Sequence, residues 1–249
     1  MSGLLLALGA GAVSGLALGA LGGGGSVLAV PALIYLLGFT PAAATTAALV
    51  VVAVTSGTAL AAHAREGTVR WRAGLVFAAA GLVPAAVGGA VSQQLPSALL
   101  TGAFAALAAV AAVRMLRPSA AVRDETVSPR ASRIAGAGAG LGAVTGVLGV
   151  GGGFLAVPAL VNVVGLRMRA AVGTSLLVIT LNSVAALAAR AGSAMVVDWS
   201  AVGPFAAAAV LGAWDGKRLA GRLSSDSLQR IFACALLAVA AFMMVDAVR

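Results

Sequence analysis

The chain has 249 residues, of which 61% are hydrophobic and 9% are charged, and its mean hydropathy is +1.07. A soluble domain of ordinary composition is about 45–50% apolar and about 25% charged. The composition therefore excludes a water-soluble globular domain, a disordered chain and a nucleic-acid-binding module, and it predicts an all-α polytopic membrane protein. Cys234 is the only cysteine, which excludes an internal disulfide.

Ten apolar runs follow one another along the chain, and we expect about eight full membrane spans from hydropathy. A spanning helix needs about 20 residues, and two of the runs, 27–37 and 154–164, are too short to span. The ten runs are 3–21, 27–37, 41–63, 71–91, 97–113, 134–148, 154–164, 170–189, 199–214 and 228–248.

Each short run follows a glycine cluster, and we interpret each as part of a hairpin, spanning or re-entrant, with the helix before it. With that pairing, 14 of the 16 Lys and Arg residues fall on one side of the membrane. The positive-inside rule makes this side cytoplasmic, which places the protein in the cytoplasmic (inner) membrane with both termini outside. The fourteen are Arg65, Arg70, Arg72, Arg114, Arg117, Arg123, Arg130, Arg133, Arg167, Arg169, Lys217, Arg218, Arg222 and Arg230.

The sequence repeats itself at an offset of 127 residues. Residues 19–33 align with residues 146–160, and eleven of these fifteen positions are identical. Because five segments precede the linker, the halves are predicted to be inverted repeats of about five segments each, a symmetry common in secondary transporters. We expect an N-terminal transmembrane repeat (1–116), a polar cytoplasmic linker (117–132) and a C-terminal transmembrane repeat (133–249).

The glycine clusters Gly22–Ser26 and Gly149–Gly153 interrupt otherwise continuous apolar sequence, and each is predicted to open a short helix with Pro31 or Pro158 near its first turn. Irregular backbone at membrane depth survives only against protein or a wet cavity, and Gly/Pro breaks at matching positions of two halves point to a transport site. The alternative is that these glycines only allow close helix packing. The predicted substrate-binding residues here, near the midplane, are Gly24, Gly25, Ser26, Gly151, Gly152 and Gly153.

These segments resemble the TauE/SafE family of sulfite and organosulfonate transporters. The resemblance also rests on Ala171–Leu176, on Asp198-Trp199, on His63 and on Gly67–Trp71, and it covers nearly the whole chain. It implies transport of sulfite, sulfonates or related sulfur-containing anions, often outward.

The resemblance draws attention to hydroxyl side chains after each break. The second half has Thr174 and Ser175, whereas at the equivalent place the first half has Thr46 followed by two alanines. If these hydroxyls coordinate substrate, the site is asymmetric, supplied by Thr174 and Ser175 together with Thr45 or Thr46.

A few other polar residues lie within or beside the apolar runs. Asn182 is predicted either to line the substrate path or to bond between helices. His63 lies at a cytoplasmic helix end, either as an interfacial residue or in a gating or proton-transfer role. Arg190 departs from the cytoplasmic charge pattern and either attracts anions at the outer mouth or pairs with Asp198 or lipid headgroups. Asp215 is expected in an interfacial ion pair with Lys217 or Arg218, the alternative being a role in proton coupling.

No catalytic or metal-ligating constellation is visible, so we expect no enzyme activity, cofactor or metal. The expected partners are a small anion and the lipid bilayer, with no nucleic acid. An inside-negative potential drives anion exit by about 2.3 kcal/mol per charge per 100 mV, which favours electrogenic or exchange-type export. The alternatives are a channel-like anion pore and a non-transporting membrane scaffold.

Overall fold

The computed structural model describes residues 2–22, 29–30, 32–92, 97–116, 130–148, 153–190 and 198–248, and every element among them is helical. Nine α-helices and two short π-helical segments are described. The α-helices are α1 (Ser2–Leu21), α2 (Pro41–Arg65), α3 (Trp71–Ser92), α4 (Ser97–Leu116), α5 (Ala131–Leu148), α6 (Gly153–Ala159), α7 (Met168–Arg190), α8 (Trp199–Arg222) and α9 (Ser225–Val248). The π-helical segments are π1 (Ala32–Leu36) and π2 (Leu160–Val164).

Four of the described helices are long and apolar enough to cross a membrane: Leu4–Leu21, Ala43–Arg65, Trp71–Gly88 and Met168–Ala189. The outward side chains of the bundle are also apolar, as at Leu5, Val83 and Leu211, each at least 68% exposed. Apolar surface on this scale requires a lipid environment. The structure thus confirms a polytopic helical membrane protein.

The predicted runs and the observed helices agree closely, with two local differences. α8 continues past Trp214 to Arg222, so that Lys217 and Arg218 lie on a helix rather than in a loop. Pro158 is the sixth residue of the seven-residue α6 instead of lying in its first turn. A proline at that position removes one backbone hydrogen bond, and the chain widens into π2 directly afterwards.

Small residues set the closest helix contacts. Gly15 and Gly19 of α1 lie so close to Ala209 and Ala213 of α8 that a methyl group on either glycine would overlap the opposing carbonyl. The matching residues of the second half, Gly142 and Gly146 in α5, lie equally close to the backbone of α3. Such small-residue faces let membrane helices approach closely, and each contact joins one half of the chain to the other.

Equivalent turns follow the two π-helical segments. Gly38 and Gly165 both have left-handed φ angles, +70° and +84°. The residue after each glycine donates its amide to the carbonyl of the residue six positions earlier than itself. Phe39 N donates to Leu33 O at 3.1 Å, and Leu166 N donates to Leu160 O at 2.9 Å. These bonds are related by the same offset of 127 residues as the sequence repeat.

The counterpart helices α2 and α7 run antiparallel. Ser56 of α2 bonds Thr180 of α7, whereas Thr68, just after α2, lies against Gly173 near the beginning of α7. Inverted repeats require this direction for counterpart helices. The complete inverted symmetry of the two halves stays a prediction.

With the exception of Arg190, the basic residues of the described segments gather at one end of the bundle, here called the basic end. α2 and α8 end there, as the bond from Lys217 Nζ to Ala62 O shows, and α7 begins there, joined to the end of α8 by Arg169. The bond from Gln229 to Met115 O places the beginning of α9 beside the end of α4. α1 runs parallel to α8, so it also ends at the basic end. α9 begins at the basic end and leads away from it. Both chain termini therefore point toward the opposite end.

Candidate functional site

α1 ends at Gly22, where elements of both halves meet. The φ angle of Gly22 is +81°, a conformation that favours glycine. A methyl group on this residue would lie 2.6 Å from Ser175 Oγ and 3.2 Å from Val157 Cγ2. The beginning of the first glycine break is therefore in contact with α7 and with α6, the short helix that follows the second break.

The two predicted hydroxyl residues of α7, Thr174 and Ser175, are completely buried. Ser175 lies beside Gly22, whereas Thr174 lies beside Gly74 of α3. Thr174 Oγ1 accepts a hydrogen bond from the amide of Arg70 at 3.1 Å, and Ser175 Oγ donates to Val172 O at 2.8 Å. Both hydroxyls thus stabilise backbone, and Ser175 Oγ is the polar side-chain atom, among the described residues, that a methyl group on Gly22 would meet.

The crossing of α2 and α7 carries further polar groups. Thr180 Oγ1 donates to Leu176 O at 2.7 Å, so the 2.9 Å contact between Ser56 Oγ and Thr180 Oγ1 is a bond that Ser56 donates. Nearby on the same two helices, the buried Oγ1 of Thr55 and Oδ1 of Asn182 have no hydrogen-bond partner in the described segments. A buried polar atom without a partner is a rare feature that indicates a place for water or ligand.

A small cavity of about 50 Å³ lies between the basic end and Gly22. Its walls include Ala20, His63, Thr68, Val172 and Lys217. Val172 also lies beside Gly22, so this inner cavity reaches the point where α1 ends.

A larger, open basin of about 560 Å³ lies outside the inner cavity, lined by Trp214, Arg218 and Arg222. Glu66, Lys217 and Gly221 line both spaces. Lys217 Nζ lies 2.8 Å from Glu66 Oε1 and donates to Ala62 O at 2.7 Å. The ion pair therefore stands at the boundary between the basin and the inner cavity.

His63 faces the inner cavity and is 7% exposed. Its Nδ1 lies 3.2 Å from Thr68 Oγ1, and the Thr68 hydroxyl donates to the carbonyl of His63 at 3.0 Å. Its other ring nitrogen, Nε2, is buried and has no hydrogen-bond partner among the residues that the structure describes. The ring is thus held by Nδ1, and the carbonyl of Gly19 is a further hydrogen-bond acceptor close to the ring.

Most of the predicted glycine contacts, at Gly24, Gly25, Ser26, Gly151 and Gly152, lie outside the described residues. Gly153 is described, and it is buried at the beginning of α6.

The structure does not bring the two predicted hydroxyl pairs together. Thr45 and Thr46 lie near the beginning of α2, away from the basic end, and each already has an interaction partner. Thr46 is ten residues, or about 15 Å along a helix, from the crossing at Ser56. Thr174 lies on the other side of that crossing, beside Arg70.

Two charged residues at the ends of helices have clear positions. Arg190 ends α7, at the end of the bundle away from the other described basic residues. Asp198 caps the beginning of α8 by accepting from Ser200 N at 3.0 Å and from Ser200 Oγ at 2.6 Å. The hydrogen bond from the Ser200 hydroxyl and, to a smaller extent, the one from the Ser200 amide lower the pKa of the Asp198 carboxyl.

At the basic end, Asp215 pairs with Arg218 at 3.7 Å, both side chains being well exposed, which confirms the predicted interfacial ion pair. Glu66 and Thr68 were not singled out from the sequence, and Lys217 was placed only with the basic loops. The available signal was that Lys217 is the only lysine of the chain, in a sequence where every other permanent cation is an arginine.

The sequence comparisons decide the family. The profile described as "Sulfite exporter TauE/SafE" matches residues 7–243. The chain belongs to the TauE/SafE family. This TauE/SafE protein is also 34% identical to two proteins named "Probable membrane transporter protein", from Xylella fastidiosa strains 9a5c and Temecula1, over 97% of this chain and 95% of each relative. It is a multi-pass membrane transporter.

Proposed function

We propose that the protein is a secondary transporter, not an enzyme, that exports small sulfur-containing anions such as sulfite or an organosulfonate across the cytoplasmic membrane. The contact of Gly22 with Ser175 and Val157 carries the proposal. It joins the beginning of one glycine break to the helix that follows the other, beside a buried cavity. We place the substrate at these breaks, close to the crossing of α2 and α7.

The charge distribution supports an anionic substrate and an inward-facing basic end. Arg218, Arg222 and Lys217 line the basin that leads to the inner cavity, and a cleft lined by one sign of charge concentrates ions of the opposite sign. With the basic end in the cytoplasm, the basin collects anions inside the cell. The membrane potential then drives their exit by about 2.3 kcal/mol per charge per 100 mV.

The family name and the names of the relatives support transport, and the first of them supports sulfite. The test is a flux assay with purified protein in liposomes, using sulfite, sulfoacetate, sulfolactate, sulfate and thiosulfate. We expect sulfite or a sulfonate to move at carrier rates and to show counter-transport. If the folded protein moves none of these anions, the assignment is wrong; flux far above carrier rates without counter-transport would indicate a channel instead.

A further inference from the structure

We propose that the inner cavity is the entry site for the substrate, that it takes a small oxyanion still carrying one proton, and that this anion replaces the Glu66 carboxylate on Lys217. The proposal rests on the proposed transport function and deepens it, because it specifies the chemical form of the anion and the gate that admits it.

The gate follows from the position of the ion pair. Lys217 and Glu66 line both the basin and the inner cavity, so an anion entering from the basin meets their contact first. The Lys217 side chain is 17% exposed, whereas that of Glu66 is 57% exposed. Glu66 can therefore swing into water while Lys217 stays in place, held by Ala62 O.

The hydrogen bonds of His63 are the reason to expect a proton on the bound anion. The Thr68 hydroxyl gives its only hydrogen to the carbonyl of His63, so its oxygen accepts from Nδ1–H of the ring. In the neutral ring Nε2 is then an acceptor, and it has no partner within the described part of the chain. An oxyanion that keeps one proton matches both groups: its O–H donates to Nε2 of His63, and its charged oxygens accept from Nζ of Lys217.

The surroundings of the ring contain few other groups that could change this arrangement. The charged side chains that line the inner cavity are Lys217, Glu66 and Arg169. Arg169 donates to the carbonyls of Gly221 and Leu223 at the end of α8. α1 contributes Ala20 to the wall, and the carbonyl of Gly19 lies close to the ring as a hydrogen-bond acceptor.

The size of the cavity favours the same class of ligand. One water needs about 10–15 Å³ of such space, so a volume of about 50 Å³ holds roughly four water-sized atoms. Hydrogen sulfite has four heavy atoms and one proton. A sulfonate is larger by its organic group and has no proton to give at neutral pH.

The experiment measures binding of sulfite, sulfate and methanesulfonate to the purified full-length protein by calorimetry, from pH 6 to pH 8.5. We expect sulfite to bind and its apparent affinity to fall as hydrogen sulfite loses its proton. Sulfate and methanesulfonate should bind at least about tenfold more weakly, as expected for the loss of a hydrogen bond to a charged or buried partner. Equal binding of sulfate or methanesulfonate overturns the proposal.

Variants test the individual contacts. Glu66→Gln should tighten sulfite binding by about two- to fivefold, because it removes a competing surface ion pair, and Lys217→Gln should weaken it by about tenfold or more. His63→Phe should weaken it, and His63→Gln, whose amide oxygen can accept, should restore part of the loss. Asp198→Asn is the matched control, because Asp198 caps the beginning of α8, at the end of the bundle opposite the inner cavity, and it should leave sulfite binding unchanged.

Two outcomes separate this proposal from the proposed function. If the wild-type protein moves sulfite in liposomes but the Glu66, Lys217 and His63 variants bind it like the wild type, the entry site is wrong and the transport function stands. If the wild-type protein moves no sulfur anion, the proposed function itself fails.

Discussion

Ser56 Oγ donates to Thr180 Oγ1 at 2.9 Å, which joins the central helices of the two halves, α2 and α7. Ser56 is completely buried. The bond lies where the antiparallel helices cross, and it fixes their register at the level of the partnerless Thr55 and Asn182.

This bond should contribute measurably to stability. We expect Ser56→Ala to lower the free energy of unfolding by about 0.5–1.5 kcal/mol and Thr180→Val to add little once Ser56 is gone. Thermal unfolding in detergent of the single and double variants checks the coupling. Thr58→Ala is the control, because the Thr58 hydroxyl bonds only the carbonyl of Thr55 in its own helix. Additive losses for Ser56 and Thr180 would mean that the bond does not couple the helices.

Gly138 should tolerate no side chain. A methyl group there would overlap the backbone carbonyl of Phe77 in α3, whereas one on Gly136, two residues earlier in α5, would meet nothing within 4 Å. We expect Gly138→Ala to cost about 1–3 kcal/mol by overpacking, and Gly136→Ala to be neutral or stabilising by up to about 1 kcal/mol. Melting temperatures of the two variants compare them directly. Equal melting temperatures would show that α3 and α5 pack elsewhere.

Alanine substitutions at Gly22 and Gly38 should distinguish the effect of backbone strain from a role in the substrate path. Both have left-handed φ angles, so alanine at either position should cost about 1–2 kcal/mol. A methyl group on Gly38 meets open space, whereas one on Gly22 meets Ser175 Oγ. Sulfite flux per folded molecule should therefore fall in Gly22→Ala and persist in Gly38→Ala. Equal flux in the two variants would place the substrate path away from Gly22.

The basic end should face the cytoplasm. In a Cys234→Ser background, we expect Ser2→Cys to react with a membrane-impermeant thiol reagent added to intact cells. Arg72→Cys, at the basic end, should react only after the cells are opened. The exchange is needed because Cys234 is exposed on α9. The reverse labelling pattern would invert the orientation and, with it, the direction of the proposed export.

Helix positions could be predicted closely from the sequence because in lipid each span must be a continuous apolar helix. The repeat was equally clear, since Gly38 and Gly165 keep both their spacing and their left-handed conformation. Contact partners were harder to predict. Of the glycines in residues 136–140, only Gly138 packs against a neighbouring helix, because helix rotation is set by tertiary contacts.

The set of residues that lines the inner cavity could not be predicted from the sequence. Lys217 and Glu66 are 151 positions apart, and nothing in the repeat links them, since the counterpart of Lys217 is Ala90 and that of Glu66 is Ser193. Their contact arises because α8 extends about two turns beyond Trp214, where the apolar run ends, to Arg222. His63 was singled out, but its free Nε2 depends on Thr68, whose role only the fold reveals.

The most direct test of the account is sulfite efflux from liposomes that contain the purified protein, with the membrane potential set by a potassium ionophore. We predict that efflux accelerates when the interior is made negative, because the potential acts on an exported anion, or that it proceeds by exchange against external anion. In neither case should it depend on a sodium gradient. Protein-independent efflux, or sulfite accumulation that collapses when a sodium or proton ionophore is added, would contradict export as the function.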